Sequence, residues 1–355
     1  MRDVSLEATT GVSVVICCYN GAKRLPQTLA HLANQQVRDR LRWEVIVVDN
    51  ASTDETSQVA LGSWPVDAPV PLRVVYEHRR GKACARDRGF SEAKYEIVSF
   101  LDDDNWVCPE WVQSVSDIMV QHPDIGACGG YSDAICEVSP PRWFEGHKRS
   151  YAIGPWGNEE GYVPRTQGAF WGAGCTIRKS AWQQIVNNGF RPLLVGRQGS
   201  RLAAGEDSEL CFALVLTGWR LWYEPSLRFQ HFLPASRLNW KHLRRLHRGF
   251  GAASVMLDPY LFALKQNPKT LKEIWKRTWT FRISVTLVSL LYYSIKLPIN
   301  RAMYHQTLEG NSVVLSLEYV CARLSELLRN RKKYNFSINE IQNASWIKCL
   351  KISNQ

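Results

Sequence analysis

The chain of 355 residues lacks several patterns that mark well-known classes of binding site. No G-x-G-x-x-G segment follows the first apolar run, and no G-x-x-x-x-G-K-[ST] segment occurs. The sequence therefore supports neither dinucleotide binding of the Rossmann type nor a Walker-type phosphate loop. Ten cysteines are present, but no two of them form a C-x-x-C pair, which argues against a structural zinc site.

Signals for export are also missing. The first eleven residues, Met1–Gly11, are polar and contain no apolar core segment, so we expect no secretory signal. The cysteines are scattered through apolar or helical surroundings. Scattered cysteines and the expected lack of a secretory signal together favour a location in the reducing cytoplasm, where the thiols stay free. Low-complexity tracts and internal repeats are absent as well.

Charge is unevenly distributed along the chain. Residues Arg228–Gln355 contain 21 basic and 6 acidic residues, a net charge of +15, whereas Met1–Leu227 carries a net charge of −4. Such a basic segment could face anionic lipid, nucleic acid or an acidic substrate.

Apolar runs alternate with helical patterns over the first half of the chain. The runs predict strands at Val12–Cys18, Trp43–Val48, Leu72–Tyr76 and Glu96–Leu101. Strand and helix in alternation predict an α/β fold with a mostly parallel sheet flanked by helices. Ser52 and Glu55 form a capping-box pattern, which predicts the start of a helix that ends near Leu61.

The second half is mainly helical in pattern. We predict a short strand at Arg220–Tyr223, a basic helix at Trp240–Phe250 and only helices from Asn267 to a polar tail. Ile283–Ile295 is the most apolar of these helices, and it is shorter than the roughly 20 residues that span a bilayer. Three interpretations stay open: a buried helix packed under the main domain, an amphipathic or shallowly inserted helix at an anionic leaflet, or a helix that spans the membrane.

The segment Phe100–Asn105 is the most informative in the chain. Three adjacent acids, Asp102, Asp103 and Asp104, end a buried run and repel one another unless a cation holds them. Oxygen ligands of this kind suit Mg²⁺ or Mn²⁺, ions that commonly also bind substrate phosphates. The segment therefore indicates a divalent metal and a diphosphate above the carboxyl edge of a parallel sheet. An acidic turn that caps a strand is the alternative.

Other strand ends offer further ligands at the same edge. Tyr19 could stack on a base, and backbone N–H groups near Asn20 could meet phosphate oxygens. Asp49 could accept a hydrogen bond from a base. Lys82 and Arg86 lie four residues apart on one helix face, which could hold a diphosphate. Ordinary strand-to-helix turns would explain the same residues.

The order of these motifs resembles that of family 2 glycosyltransferases. The resemblance covers about Val12 to His231 and rests on V-S-V-V-I-C-C-Y-N-G, V-I-V-V-D-N-A-S-T-D, R-G-K-A-C-A-R-D-R-G, F-L-D-D-D-N, G-A-G-C-T-I-R, G-E-D-S-E-L and the later Q-H pair. It implies a single-domain fold of the GT-A type. It also implies transfer of a sugar from a nucleotide donor, usually a UDP-sugar, with inversion at the anomeric carbon.

The resemblance also implies roles for individual residues of the donor site. Tyr19, Asn20 and Asp49 match donor-binding positions, and Lys82 and Arg86 match a basic turn near the base and phosphates. Asp102 and Asp103 match donor positions, with Asp103 at the ribose or the second shell of the metal. The three consecutive acids fit either a D-x-D or a D-D-N reading of the metal motif.

Metal and catalytic positions follow from the same resemblance. Asp104 matches the ligand of Mn²⁺ or Mg²⁺, and His231 occupies a position that touches the metal in some relatives. Glu206 and Asp207 match the pair that carries the catalytic base, with Asp207 as the base. Acids at the start of a helix are the alternative explanation for this pair.

One departure from the family narrows the expected activity. The multi-spanning synthases of the family carry a Q-x-x-R-W motif and several transmembrane helices, and this sequence has neither. We therefore expect single-sugar transfer to a glycan or to a polyprenyl-linked glycan, without export. The expected organisation is a GT-A domain at residues 1–233 and a basic helical extension at 234–355. That extension would close over the acceptor or rest on an anionic membrane, so we expect a cytoplasmic protein, either soluble or peripheral to the membrane.

Two other functions remain as alternatives. A nucleotidyltransferase on a similar sheet would need a glycine-rich first turn with arginine, which Cys17–Gly21 lacks. A nucleic-acid-binding protein could use the basic stretches Arg237–Arg248 and Arg329–Lys333. The glycosyltransferase hypothesis expects no nucleic acid partner.

Overall fold

A computed structural model describes residues 11–166, 168–194, 204–265, 268, 270–304 and 308–347, without the side chains of 301–304. The predictions for Met1–Thr10 and Cys349 lie outside these residues. The nine described cysteines are free thiols.

The chain divides into two compact units. The first comprises Met1–Ile135, Ala152–Arg191 and Gly218–Phe232, and the second comprises Cys136–Tyr151, Pro192–Thr217 and Leu233–Gln355. The expected division at residues 233 and 234 stays a prediction.

A nine-stranded sheet forms the centre of the first unit, in the order β3-β2-β1-β4-β8-β6-β9-β5, with β7 paired to β9. The α/β fold with a helix-flanked sheet is confirmed. The strands are β1 (Val12–Cys18), β2 (Trp43–Asp49), β3 (Leu72–Tyr76), β4 (Ile97–Asp102), β5 (Asn105–Val107), β6 (Ile125–Cys136), β7 (Gly161–Tyr162), β8 (Cys175–Arg178) and β9 (Arg220–Leu233).

The first four strands make the parallel part of the sheet. Every residue of β2 is buried, as is typical of a strand covered on both faces. The connecting helices are α1 (Leu25–Ala33), α2 (Thr56–Ser63) and α3 (Lys82–Glu92). Cys18 pairs with Asp49, and Cys17 pairs with Asp102. The carboxyl ends of these strands therefore lie at one edge of the sheet, where α/β folds bind ligands.

The pairings of β8 with β4 and β6, and of β9 with β5 and β7, are antiparallel. The sheet is therefore mixed, and the prediction of a mostly parallel sheet is wrong. The predicted short strand at Arg220–Tyr223 is wrong in length, since β9 continues for 14 residues to Leu233. Alternate residues Leu227, Phe229, His231 and Leu233 are buried, so the alternation of a half-covered strand runs to its end. The helices in this part of the chain are α4 (Trp111–Gln121), α5 (Phe144–His147), α6 (Lys179–Asn187) and α7 (Glu206–Leu216).

The predicted capping box is also wrong. Helix α2 begins at Thr56, after Glu55, and no side chain caps it. The Ser52 hydroxyl instead accepts a hydrogen bond from the backbone N–H of Asn20 at 3.0 Å. Ser52 therefore bonds to the neighbouring turn and does not cap the helix.

Helices dominate the second unit. They are α8 (Trp240–Leu264), α9 (Leu271–Arg277), α10 (Trp279–Tyr304), α11 (Ser312–Arg329) and α12 (Tyr334–Gln342), besides α5 and α7. Helix α8 is 25 residues long and passes through Pro259, so the predicted end at Phe250 is wrong. Apolar side chains of α8, α11 and α12 form the core between these helices, among them Val255, Phe262, Leu327, Tyr334 and Ile338.

A buried carboxylate joins four helices of the second unit. Asp258 of α8 is 3 % exposed and accepts hydrogen bonds from Arg282 at 3.1 Å, Arg323 at 2.6 Å and the Tyr334 hydroxyl at 2.7 Å. These donors belong to α10, α11 and α12. A buried charge is tolerated when it is paired and hydrogen-bonded in this way, so the network fixes how the four helices pack.

Helix α10 is much longer than the predicted Ile283–Ile295. It runs for 26 residues, and its segment Trp279–Asn300 is long and apolar enough to cross a membrane by length and composition alone. Only 6 % of the apolar window in this segment is buried. The interpretation of a buried core helix is therefore wrong.

Candidate functional site

The turns after β1 and β2 hold each other through side chains. Ser52 accepts from the Asn20 N–H, and the Asn20 side-chain oxygen accepts from the Thr53 N–H at 2.8 Å. Thr56 accepts from the Gly21 N–H at 2.9 Å. These hydrogen bonds therefore join the turns after β1 and β2 at the edge of the sheet.

Strained backbone occurs at both of these turns. Asn20 has φ of 50° and Ala51 has φ of 57°, values in the left-handed region that non-glycine residues rarely adopt. Such conformations cost about 1–3 kcal/mol each and persist where the surrounding structure enforces them, often at functional sites. The strain therefore singles out the same two turns that the sequence motifs do.

Asp49 lies at the end of β2 and is 4 % exposed. One of its carboxylate oxygens accepts from the Ser52 N–H at 2.9 Å, and the other accepts from the Ser57 hydroxyl. These two donors fix the carboxylate at the strand end. Tyr19, at the end of β1, is 47 % exposed and lies against Arg80, whose guanidinium is 5.8 Å from the ring centre. An open aromatic face of this kind is suited to stacking.

The start of α3 is tied to the end of β2 by Asn50. Its side-chain oxygen accepts from the Gly81 N–H at 2.8 Å, and its amide donates to the carbonyl of Arg79 at 2.7 Å. Lys82 then follows as the first residue of α3 and forms an ion pair with Asp102 at 2.9 Å. The first of the three acids therefore has an ammonium group beside it.

Arg86 lies deeper than Lys82. It is 7 % exposed, and its guanidinium is 5.8 Å from the ring centre of Phe100, which precedes Asp102 in β4. The expectation that Lys82 and Arg86 share one helix face agrees with their common contact with β4.

Asp103 is held by a residue that the sequence motifs did not predict. Arg24 of the β1–α1 connection donates to both Asp103 oxygens, from Nε at 3.1 Å and from Nη2 at 2.6 Å. A bidentate pair of this kind fixes orientation as well as charge. Burial and the adjacent Asp104 raise the pKa of Asp103 to about 6, although Arg24 opposes this rise.

The same carboxylate explains why glycine follows Asn20. A Cβ built on Gly21 would lie 2.1 Å from the Cys18 sulfur and 2.3 Å from an Asp103 oxygen. Any other residue would push the turn away from the acidic segment. No motif in the sequence indicated Arg24, which lies in the connection between β1 and α1.

Asp104 and His231 are brought together by strand pairing. Asn105 of β5 pairs with His231 of β9, and the Phe232 N–H donates to the Asp104 carbonyl at 2.9 Å. The His231 Nε2 atom lies 3.5 Å from an Asp104 oxygen, and both residues are buried. A carboxylate and an imidazole in this arrangement can share one divalent ion.

The donor set fits a metal that is completed by substrate. Among the residues that the structure describes, no cluster of three or more His, Cys, Asp or Glu side chains could hold an ion. Asp104 and His231 would supply two ligands to such an ion. Mg²⁺ and similar ions are commonly bound by one or two carboxylates together with waters and substrate phosphates. The pair therefore suits a metal that arrives with a diphosphate.

Glu206 and Asp207 belong to the second unit and start α7. Gly205 precedes them with φ of 97°, and a Cβ there would lie 3.1 Å from Leu194 and 3.2 Å from Ala253. Glu206 is buried, and its Oε2 atom has no hydrogen-bond partner among the described residues. Asp207 is half-buried. Their catalytic roles stay predictions.

Glu209, one turn further along α7, has a structural role that the motifs did not indicate. Its carboxylate accepts from the Leu193 and Leu194 N–H groups at 2.6 and 2.9 Å and from the Tyr260 hydroxyl at 2.6 Å. Burial raises the pKa of Glu209 to about 7, although these three donors lower it. The carboxylate anchors the chain segment before α7 to α7 and α8.

This raised pKa predicts a pH dependence of stability. Between the unperturbed value of 4.5 and about 7, the folded state binds more protons at Glu209 than the unfolded state does. Stability should therefore fall as pH rises through this window, by up to about 1.4 kcal/mol per pH unit. Glu209→Gln removes the titration, so its free energy of unfolding should decline less from pH 5 to 7.5 in urea titrations.

Glu145→Gln is the matched control, because the Glu145 side chain is 74 % exposed. We expect this variant to follow the wild-type pH profile. Identical slopes for the wild type and Glu209→Gln would contradict the prediction.

Comparisons with known proteins agree with this geometry. The family model described as glycosyl transferase family 2 matches residues 13–185. The succinoglycan biosynthesis protein ExoM of Rhizobium meliloti (strain 1021) is 24 % identical over 247 residues, which cover 68 % of this chain and 74 % of that protein. The putative glycosyltransferase EpsH of Bacillus subtilis (strain 168) is 25 % identical over 120 residues, covering 34 % of this chain and 33 % of EpsH. The chain spans about a third or less of the length of several curated relatives.

A solved structure extends the likeness to the fold. The mannosyltransferase PcManGT from Pyrobaculum calidifontis, in complex with GDP-Man and Mn²⁺, superposes with a TM-score of 0.54 at 19 % identity. The match covers 90 % of this chain and 88 % of that one. The sequence motifs lie at one edge of the sheet and fall largely within the family match, so residues 13–185 are identified as a region of glycosyl transferase family 2.

Proposed function

We propose that the protein is a metal-dependent, inverting glycosyltransferase that moves one sugar from a UDP-sugar to a glycan or a polyprenyl-linked glycan. The observation that carries the proposal is the strand register that sets His231 beside Asp104 and Asn105, 3.5 Å from the Asp104 carboxylate. This pairing stands at the same sheet edge as the ends of β1 and β2.

The base and ribose of the donor would bind at the turns that follow β1 and β2. Asp49 is held in place by Ser52 and Ser57, so it can accept a hydrogen bond from a base N–H without rearrangement. Tyr19 offers an exposed ring for stacking. The N–H groups of Asn20 and Gly21 already donate to Ser52 and Thr56, so the expectation that they bind phosphate is wrong. The Lys82 ammonium group would meet the phosphates, and Arg86 would add positive charge behind Lys82.

Asp104 and His231 would hold Mn²⁺ or Mg²⁺. When bound, the ion supplies positive charge that stabilises the departing diphosphate. Asp103, fixed by Arg24, would orient its own backbone and the neighbouring acids around that site. PcManGT was solved with GDP-Man and Mn²⁺, which supports a nucleotide-sugar and a divalent ion as ligands of this fold.

The acceptor hydroxyl needs a base on the face of the sugar opposite the diphosphate. We assign this role to Asp207, with Glu206 as its neighbour in the acidic first turn of α7. Removal of the proton by a carboxylate generates the nucleophile as the new glycosidic bond forms and the bond to the diphosphate breaks. One displacement of this kind inverts the anomeric centre. ExoM is a succinoglycan biosynthesis protein, which supports a glycan as the acceptor.

Donor binding tests the proposal directly. The melting temperature of the full chain is measured with a panel of UDP-sugars and GDP-mannose, each with Mn²⁺ and with EDTA. We expect at least one nucleotide-sugar to raise the melting temperature in Mn²⁺ only, because a ligand stabilises the state that binds it. No shift with any donor would contradict the proposal.

The product separates this function from the alternatives. Glycosyl transfer releases a nucleoside diphosphate, whereas a nucleotidyltransferase releases inorganic diphosphate. Inorganic diphosphate as the only product would replace the proposal with that alternative.

A further inference from the structure

Helix α10 exposes a continuous apolar surface, here called the α10 face. Val288 and Leu291 are 68 % and 63 % exposed, and no charged residue occurs between Arg282 and Lys296. All members of the face are large apolar or aromatic side chains with at least two fifths of their area exposed: Val285, Leu287, Val288, Leu291, Tyr292, Ile295 and Ile299. A surface of this kind on a soluble helix marks a contact with another molecule or a membrane.

The opposite side of α10 is anchored within the second unit. The indole N–H of Trp279 donates to the Leu327 carbonyl at 2.7 Å, and Arg282 bonds to Asp258 at 3.1 Å. Ile283 packs against the core of α8, α11 and α12, and Thr286 is 4 % exposed. The helix is therefore firmly attached on one side, so exposure of the α10 face is a property of the folded unit.

Basic residues are frequent in the sequence that contains and flanks this face. The segment from Lys265 to Arg301 contains eight basic residues and one acidic residue, Glu273. Lys272 and Lys276 of α9 are exposed, and Trp275 between them is 53 % exposed. Tryptophan and tyrosine beside basic residues are typical of the boundary between lipid headgroups and acyl chains.

We propose that the α10 face, together with the basic side chains of α9, binds the surface of an anionic lipid bilayer. Helix α10 lies in the plane of the membrane with its apolar side chains at the headgroup boundary, and the lysines contact anionic headgroups. The inference does not depend on the identity of the sugar donor, and it would hold for any activity of the first unit.

Charge and packing favour this occupant over two others. A second copy of the chain would bring two strongly basic segments together, and like charges oppose such a contact. A membrane-spanning placement would draw α11 into the hydrocarbon, since α10 packs against it. Helix α11 carries Glu318, Arg323, Glu326 and Arg329, and charged groups are costly at that depth. The surface of an anionic bilayer can contact the apolar α10 face through its acyl chains and the lysines of α9 through its headgroups.

Vesicle flotation with the full chain tests the proposal. We expect recovery with vesicles of phosphatidylcholine and phosphatidylglycerol, weak recovery with phosphatidylcholine alone, and loss of binding at high salt as the charges are screened. Val288→Asp/Leu291→Asp should weaken binding at least tenfold. Lys272→Glu/Lys276→Glu should weaken binding to the anionic vesicles and abolish the difference between the two lipids.

Leu61→Asp is the matched control, because Leu61 of α2 is 59 % exposed and belongs to the first unit. This variant should bind like the wild type, and melting curves of all variants should coincide, so that weaker binding is not unfolding. Wild-type recovery of Val288→Asp/Leu291→Asp would overturn the proposal. So would protein that resists extraction at alkaline pH, which indicates a spanning helix, or a lipid-free dimer that this double variant dissociates.

Discussion

Asp207→Asn is expected to lower the rate of sugar transfer by about 10² to 10⁴, the range associated with loss of a positioned general base. Asparagine has nearly the same shape as aspartate but cannot take the proton of the acceptor hydroxyl. Nucleotide-sugar binding should remain, because the residues proposed to bind the donor belong to the first unit. The measurements are kcat from nucleoside diphosphate release with a saturating acceptor, and the melting shift with donor and Mn²⁺.

Asp124→Asn provides the control for this change. Asp124 is 46 % exposed and pairs with Arg220, so its loss should leave both kcat and donor binding near wild-type values. A second comparison is Glu206→Gln, which separates the two acids of α7. Transfer by Asp207→Asn at the wild-type rate would remove Asp207 from the mechanism. A loss of donor binding together with kcat would mean that the residue supports the donor site instead.

Strands β1, β2 and β4 were predictable because each one is a mainly apolar run that ends in a polar turn. Burial on both faces of the sheet demands such runs, and their carboxyl ends must then meet at one edge. Asp49, Asp102 and Tyr19 follow those runs directly, so their common location was visible in the sequence. The long-range pairing of Asn105 with His231 was not visible, because antiparallel register depends on tertiary packing between distant segments.

Residues that support the site were harder to find. Arg24 carries no motif of its own, and its contact with both oxygens of Asp103 appears only when the β1–α1 connection and the acidic segment are placed side by side. Ser52 shows the opposite case, in which a sequence pattern predicted a role that the structure does not show. Its pattern with Glu55 satisfied the rule for a helix start, but its hydroxyl accepts from Asn20 in the neighbouring turn. Tertiary hydrogen bonds outweighed the local preference there.

The length of α10 was predicted too short because charged residues flank its most apolar run. The apolar run predicts a helix at Ile283–Ile295, between Arg282 and Lys296, yet α10 passes through both charged positions. Arg282 is consistent with the helix interior because Asp258, in a different helix, pairs with it. The sequence around Arg282 shows its charge, but it does not show that Asp258 of another helix pairs with that charge.

Asp104→Asn is expected to remove the metal dependence of donor binding and to lower the rate of transfer by about 10³. An ion that stabilises a developing diphosphate contributes several kcal/mol to the transition state, and each 1.36 kcal/mol corresponds to about tenfold in rate. Asparagine keeps an oxygen ligand but removes the negative charge. The melting shift with donor should therefore become the same in Mn²⁺ and in EDTA.

The matched variants locate the effect at the metal. His231→Gln should weaken the Mn²⁺ dependence less than Asp104→Asn does, because it leaves the anionic ligand in place. Asp117→Asn, which removes the partner of Arg38 on α4, should retain the wild-type response. If Asp104→Asn still needed Mn²⁺ at the wild-type concentration for donor binding, the ion would have to lie elsewhere. The 3.5 Å approach of Asp104 to His231 would then be structural, holding β5 to β9 at the end of the acidic segment.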